Sequence, residues 1–343
     1  MSELGERLHL EAEVVWLEAP GKIVLRRESL TPLQSNDLLC KTLVTAISPG
    51  TEIAAYRGLP PLSPNILYPR LQGYCNVAEV VKVGDRVTEY VPGDRILSFT
   101  SHRSAFTINQ KNVIYKLKEA ADPNKTACTY LFHLGYNAIL RSGVRPGSQV
   151  LVVGLGAIGL TTVALAAFSG AKVFTVSDQL KPAEISLKYG AEANFMRHQL
   201  PELLKALGPK LADVVVTTVN GWNDWNLALK TAGNLAKIAV LGFPGRGEPL
   251  SNFNPLDSQY FYKKQLSIES VGTSPEMPDN RGFCRFNERD NIEFLAEQIF
   301  NQKLDSSLIV SGEFHGSDIE SAYRNLIARK NSPITYLLKW DRN

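Results

Sequence analysis

Apolar and polar positions alternate in short runs through the first 120 residues. Residues 14–16, 22–25, 37–46, 75–83 and 95–99 are β-branched or alternating, and Pro20-Gly21, Pro49-Gly50 and Pro92-Gly93 punctuate them. This predicts a small, irregular β-barrel or sandwich. From about Asp122 the period changes. Residues 123–142 carry helical apolar spacing, after which strands at 149–153, 172–176, 213–217, 237–241 and 266–271 alternate with helices at 157–169, 181–189 and 222–231. Alternation of this kind predicts a parallel sheet covered by helices on both faces. The tail carries helical patterns at 291–301 and 318–329 and a closing strand at 334–338. The expected fold class is α/β, a β-rich domain plus a doubly wound parallel sheet.

Composition narrows the picture. A chain of 343 residues suggests about two domains. Hydrophobic residues at 44% and charged residues at 21% exclude a disordered, collagenous or coiled-coil chain. A net charge of +3 is too small to make nucleic acid or an anionic membrane the main partner. The four cysteines, Cys40, Cys75, Cys128 and Cys284, are too far apart for a redox pair or a zinc ribbon, and they fit a reducing compartment. Residues 1–10 lack the apolar core of a secretory signal. The uncharged stretch 150–168 is long enough to span a bilayer. Its three glycines, its strand-like start and its helix-like end favour a buried strand-turn-helix instead. A cytoplasmic protein, a homodimer acting on a small-molecule substrate, is expected.

The strongest motif is Gly154-Leu155-Gly156-Ala157-Ile158-Gly159, between the strand at 149–153 and the following helix. Gly154 permits the tight turn, Gly156 lets the backbone approach a pyrophosphate, and Gly159 lets helix and strand pack closely. The helix start at Ala157 and Ile158 offers N–H groups and a positive dipole end to phosphate. A dinucleotide site is expected. The second strand runs into Ser177 and Asp178, where an acid would hold the ribose of NAD. With Ser177 at the strand end and Lys181 and Arg197 near, the extra phosphate of NADP is favoured. A shift of one residue would put Asp178 on the ribose and favour NAD instead. Val219, Asn220, Leu241 and Gly242 follow the next two strands, where open α/β sheets bind ligands, and are expected to flank the nicotinamide half of the cofactor. Trp222 and Trp225 either line that pocket or pack.

The chain resembles the medium-chain dehydrogenase/reductase superfamily of alcohol dehydrogenases and quinone reductases. The likeness is carried by Gly50-Thr51-Glu52, Tyr56-Arg57-Gly58, the run Gly73 to Gly84, Pro92-Gly93-Asp94-Arg95, Arg145-Pro146-Gly147 and Tyr189-Gly190-Ala191. It implies a GroES-like catalytic domain from 1–122 and 273–343 around a Rossmann domain at 123–272, with the active site in the cleft between them. Zinc members would bind catalytic metal at the positions of Pro49, Tyr74, Cys75 and Tyr130. Pro carries no ligand atom, and Cys75 alone cannot make a site that needs three protein ligands. The four-cysteine lobe of the zinc enzymes is missing too. No zinc is expected. Among zinc-free branches, residues 48–52 and 68–74 are similar to the bacteriochlorophyllide dehydrogenase-like group, although Cys75 departs from its Gly-Tyr-Glu and its substrate is not carried over.

Without a metal, a substrate oxygen needs a hydrogen-bond donor. The resemblance places Tyr74 and Tyr130 at former ligand positions, with Ser48 and Thr51 near Tyr74. His133 lies one helical turn beyond Tyr130 and could relay a proton; a core histidine is the plainer alternative. Glu52 is expected to order the turn after Pro49-Gly50, and Cys75 to pack. The Gly/Pro/Asn-rich stretch 274–285 is a candidate lid. The expected function is zinc-independent hydride transfer, NADP(H) over NAD(H), to or from a carbonyl or alcohol. Rival readings are an enoyl or quinone-type reductase and a non-catalytic NADPH-binding protein.

Overall fold

A computed structural model describes residues 11–59, 68–272, 274 and 284–340. In chain order its strands and helices are β1 (Glu11–Ala19), β2 (Lys22–Ser29), β3 (Asp37–Ala46), α1 (Pro49–Tyr56), β4 (Arg70–Leu71), β5 (Asn76–Val83), β6 (Arg95–Ser98), β7 (Ala105–Asn109) and β8 (Tyr115–Lys116). Then come α2 (Pro123–Ala127), α3 (Thr129–Ser142), β9 (Gln149–Val153), α4 (Ala157–Phe168), β10 (Lys172–Val176), α5 (Leu180–Lys188), β11 (Ala193–Phe195), α6 (Leu200–Leu207), β12 (Ala212–Thr217) and α7 (Trp222–Thr231). The chain ends with β13 (Ala232–Val240), β14 (Ser267–Ser270), α8 (Glu288–Phe300), β15 (Val310–His315), α9 (Ile319–Ala328) and β16 (Thr335–Lys339).

The chain forms two compact units, 1–128 with 312–328 and 335–343, and 129–311 with 329–334. These bounds differ from the expected 1–122 with 273–343 and 123–272. The returning segment falls with the second unit because Phe294 of α8 stacks on Tyr136 of α3 (ring centroids 5.6 Å apart) and leans on Phe168 of α4. In the other direction α2 falls with the first unit, where Lys339 Nζ reaches Asn124 Oδ1 at 2.5 Å. The candidate lid at 274–285 lies largely outside the described residues, as do residues 1–10.

The first unit contains the sheet β2-β1-β4 and the larger order β15-β16-β3-β5-β6-β8, with β7 also on β3. Helix α1 replaces the turn expected at Pro49-Gly50. Proline at the first helical position is as good a helix start as a turn signal, because its missing N–H has no intrahelical partner anyway.

The second unit is built on a parallel sheet of order β11-β10-β9-β12-β13-β14. Numbered by sequence within the sheet this is 3-2-1-4-5-6, the doubly wound order, with its reversal between β9 and β12. Val150, Leu151, Val152 and Val153 are all fully buried, as a strand covered on both faces requires. Each such side chain withdrawn from water contributes about 1.5–3 kcal/mol. The uncharged run 150–168 is therefore strand, turn and helix. No helix among the described residues is long and apolar enough to cross a membrane.

Candidate functional site

The glycine-rich turn sits at the point where the strand order reverses. Gly154 has φ +92°, and a Cβ there would lie 2.4 Å from Val219 Cγ1 and 2.7 Å from Thr218 Oγ1. A Cβ on Gly159 would lie 2.0 Å from the Gly154 carbonyl oxygen. Two of the three glycines are thus demanded by the protein's own packing. Gly156 is not. It has φ −77°, it precedes the first turn of α4, no side chain caps that turn, and an added Cβ would meet nothing within 4 Å. The fold has no use for glycine at this position, whereas an anion seated on the helix N-terminus does. The turn fits a dinucleotide pyrophosphate, which the N–H groups around Gly156, Ala157 and Ile158 would hold.

The neighbouring loops close around this turn. Leu241 and Gly242 both donate their N–H to Thr217 O at 2.9 Å, and a Cβ on Gly242 would lie 2.3 Å from Val219 O. Asn220 Oδ1 accepts the Phe243 N–H at 2.8 Å, so this side chain ties the two loops together. Both tryptophans pack: Trp222 Nε1 donates to Pro249 O and buried Trp225 Nε1 to Pro255 O.

At the end of β10, Ser177 is buried, and its Oγ accepts the Gln179 N–H at 3.2 Å. Asp178 is committed elsewhere. Its Oδ1 accepts the Arg197 N–H and its Oδ2 pairs with Arg197 Nη1 at 2.6 Å, while Arg197 Nε reaches Asp224 Oδ1 at 2.7 Å. Arg197 is therefore a bridge between two carboxylates, and Lys181 is exposed on α5. A groove of about 320 Å³ opens beside Arg197 and Asp224 and continues past Asn223 to Lys230.

The proton-donor candidates fall into two pairs. In the first unit the half-buried Tyr74 donates its hydroxyl to Ser48 Oγ and lies 3.4 Å from Thr51 Oγ1. Ser48 precedes α1 but does not cap it, since its hydroxyl is turned to Tyr74. Burial, with a smaller contribution from Cys75, pushes the Tyr74 phenol well above its usual value, so it keeps its proton. In the second unit the Tyr130 ring lies tilted against His133, centroids 5.3 Å apart, and its hydroxyl reaches Glu288 Oε1 at 3.4 Å.

His133 is fully buried, and its tautomer follows from its partners. Ser274 Oγ donates to Asn137 Oδ1 at 2.6 Å and accepts from Asn291 Nδ2 at 3.1 Å, so its contact with His133 Nε2 at 3.1 Å must be donated by the ring. Nδ1 is then unprotonated, and it has no hydrogen-bond partner among the described residues. Burial pushes His133 down to about 4.

The residues at the family's metal positions do not fit a metal. Pro49 opens α1 with no donor atom, Tyr74 holds Ser48, and Cys75 is buried with its thiol pushed well above the usual range by burial first and then by Glu52 and Cys128. A thiol ligates as the thiolate. Among the described residues no group of three or more His, Cys, Asp or Glu is placed to hold an ion.

Residues 157–280 match the family model of the zinc-binding dehydrogenases. Over 168 residues the chain is 29% identical to the NADP-dependent alcohol dehydrogenase C 1 of Mycolicibacterium smegmatis, covering 49% of this chain and 46% of that one. The NADP-dependent isopropanol dehydrogenase of Clostridium beijerinckii is 23% identical over 301 residues, 76% of this chain and 81% of that one. The chain thus spans about half the length of the first of these relatives. The crystal structure of 2R,3R-butanediol dehydrogenase from Bacillus subtilis superposes with a TM-score of 0.80 at 14% identity, over 96% of this chain and 99% of that one, and shares its fold. The chain is thus similar to medium-chain dehydrogenases and shares their fold, a β-rich GroES-like part and a Rossmann sheet.

Proposed function

We propose that this chain is a NAD(P)(H)-dependent oxidoreductase that interconverts an alcohol and a carbonyl in a small to medium organic substrate, without a metal. The observation that carries this reading is Gly156, a glycine the fold does not require at the start of a helix no side chain caps. When bound, the nicotinamide cofactor supplies the hydride acceptor or donor. The backbone around Gly156 orients its pyrophosphate. The Tyr74 hydroxyl, kept protonated by burial and backed by Ser48, is the donor for the substrate oxygen. NADP(H) is preferred over NAD(H): Ser177 leaves the strand end free of carboxylate, Asp178 being committed to Arg197, and two relatives carry NADP-dependence in their names.

The test is a panel of ketones, aldehydes and enones with NADPH deuterated at the transferable position, with products read by mass spectrometry and NMR. Deuterium on a carbinol carbon is expected. Deuterium on a saturated former C=C would replace this reading with an enoyl or quinone-type reductase, and tight binding without consumption would replace it with a cofactor-binding protein. Elemental analysis of the purified chain is expected to find no stoichiometric zinc, and chelators to leave its thermal midpoint unchanged. About one zinc per chain would overturn the metal-free reading.

A further inference from the structure

Behind Tyr74 lies a buried polar cluster that the proposed chemistry does not use. Glu52 on α1 is only 1% exposed and accepts three hydrogen bonds. Its Oε1 takes the Ser48 N–H at 2.6 Å, and its Oε2 takes His102 Nε2 at 2.9 Å and the Tyr323 hydroxyl at 2.5 Å. His102, fully buried, contacts Thr45 Oγ1 through Nδ1 at 2.7 Å, and that hydroxyl also accepts Trp340 Nε1 at 3.2 Å. Four distant stretches of chain therefore meet on one carboxylate and one imidazole.

Both members of this pair bear directly on Tyr74. Glu52 fixes the backbone of Ser48, whose Oγ receives the Tyr74 hydroxyl. His102 fixes the other end of the same side chain: its ring packs on Gly73, the residue before Tyr74, so closely that a Cβ there would lie 2.5 Å from the ring. Gly73 also has φ +85°, so glycine is demanded twice over. The backbone that carries Tyr74 and the hydroxyl that receives its proton are thus located by the same buried contact.

A packing role alone does not need this chemistry. Burying a carboxylate with an imidazole costs more than apolar side chains of the same volume would, unless every polar atom is met. Here the acid is met by three donors, and two of the elements it ties down are the two that set the Tyr74 hydroxyl.

We propose that Glu52 and His102 are positioning residues for Tyr74, acting through Ser48 and Gly73, with Tyr323 as the anchor of the pair. The inference rests on the reading of Tyr74 as the substrate's hydrogen-bond donor, but the geometry it asserts is measurable without turnover. The experiment uses the full chain labelled with tyrosine carrying carbon-13 at Cζ, with the Tyr74 resonance assigned by its loss in Tyr74→Phe. Glu52→Leu, His102→Phe and Tyr323→Phe are compared with wild type by that resonance, by NADPH affinity at the glycine-rich turn and by kcat and KM on whichever substrate the carbonyl panel yields. In Glu52→Leu and His102→Phe the Tyr74 resonance is expected to shift or broaden, NADPH affinity to stay within about twofold, and kcat to fall on the order of 10- to 100-fold with KM little changed, the cost of misplacing a reacting group. Tyr323→Phe keeps the cluster's packing and tests the pair even where the first two fail to fold; a smaller displacement of the same resonance is expected. An unmoved Tyr74 resonance in any folded variant of Glu52 or His102 overturns the proposal. A displaced resonance in a chain that turns over no substrate upholds the positioning and overturns only the reading of Tyr74 as a donor in catalysis.

Discussion

The glycine-rich turn and the Tyr74 cluster solve the same problem by opposite means. Each holds a few polar groups in a fixed place. The turn does so mainly with local constraints: six consecutive residues, a Gly159 pressed against the Gly154 carbonyl, and a helix start, with Thr218 and Val219 the added contact on Gly154. The cluster does so with contacts gathered from β3, α1, α9, the residue after β16 and the loop before β7, across as many as 295 residues of sequence. The turn's purpose is written in its own residues, while the cluster's exists only after folding.

The largest effect expected tests the cluster side of that comparison. Tyr74→Phe removes the hydroxyl and leaves the ring, so fold and NADPH affinity should be retained while kcat falls about 10²–10⁴-fold, the range for a lost proton donor. Tyr130→Phe, in the other unit and bonded to Glu288, is the matched control and should lose little. A loss confined to Tyr130→Phe would transfer the role to the Tyr130–His133 pair. Equal near-wild-type rates in both variants would leave both tyrosines as packing.

The turn is tested by separating its glycines. Gly156→Val adds side-chain atoms where the structure has open space, so the thermal midpoint should hold while dinucleotide affinity drops by about 100-fold or more, roughly 3 kcal/mol. Gly159→Val should do the reverse, since its Cβ would lie 2.0 Å from the Gly154 carbonyl oxygen and must destabilise the fold itself. Calorimetric titration and thermal melts on the pair check both. Unchanged affinity in Gly156→Val would remove the assignment of the turn.

Cofactor choice is a finer test at the same end of the sheet. Ser177→Asp puts a carboxylate where the NADP phosphate is expected and should turn preference toward NADH by about 1–3 kcal/mol. A wild type that already prefers NADH would mean that the ribose is held in another register, and the Asp178–Arg197–Asp224 bridge would then be the first contact to break.

The same contrast decides how much was legible in advance. The run 149–176 was readable because strand, turn and helix each leave a local signature, and β9 and β10 fall on the expected residues. Trp222 to Thr231 was readable for the same reason. Helix α1 was not, because Pro49-Gly50 signals a turn and a helix start equally well. Glu52, expected to order a turn after Pro49-Gly50, instead holds the Ser48 N–H at the start of α1. The places of His102, Tyr323 and Trp340 could not be anticipated: each is a single polar or aromatic residue in an unremarkable run, and nothing in sequence spacing brings them to one cluster. That α8 packs on α3 through aromatic contacts is likewise something composition does not reveal.

The smallest effect concerns His133, buried on α3 of the second unit. Its Nε2 is fixed by Ser274, its Nδ1 is unprotonated, and burial holds it at about 4 against the usual value near 6.5 in an unfolded chain. The folded state thus binds fewer protons than the unfolded state between these values. Stability from this group is complete above about pH 6.5 and is lost as pH falls toward 4. Between pH 7.5 and 5.5 the loss should be roughly 1 kcal/mol. Urea unfolding at the two pH values, for wild type and for His133→Leu, isolates it, because contributions of other groups cancel in the difference. The variant should lose about that much less on acidification. If both chains lose the same amount, His133 takes up a proton while folded, and a proton-relay role beside Tyr130 becomes the better account of why a histidine is buried there.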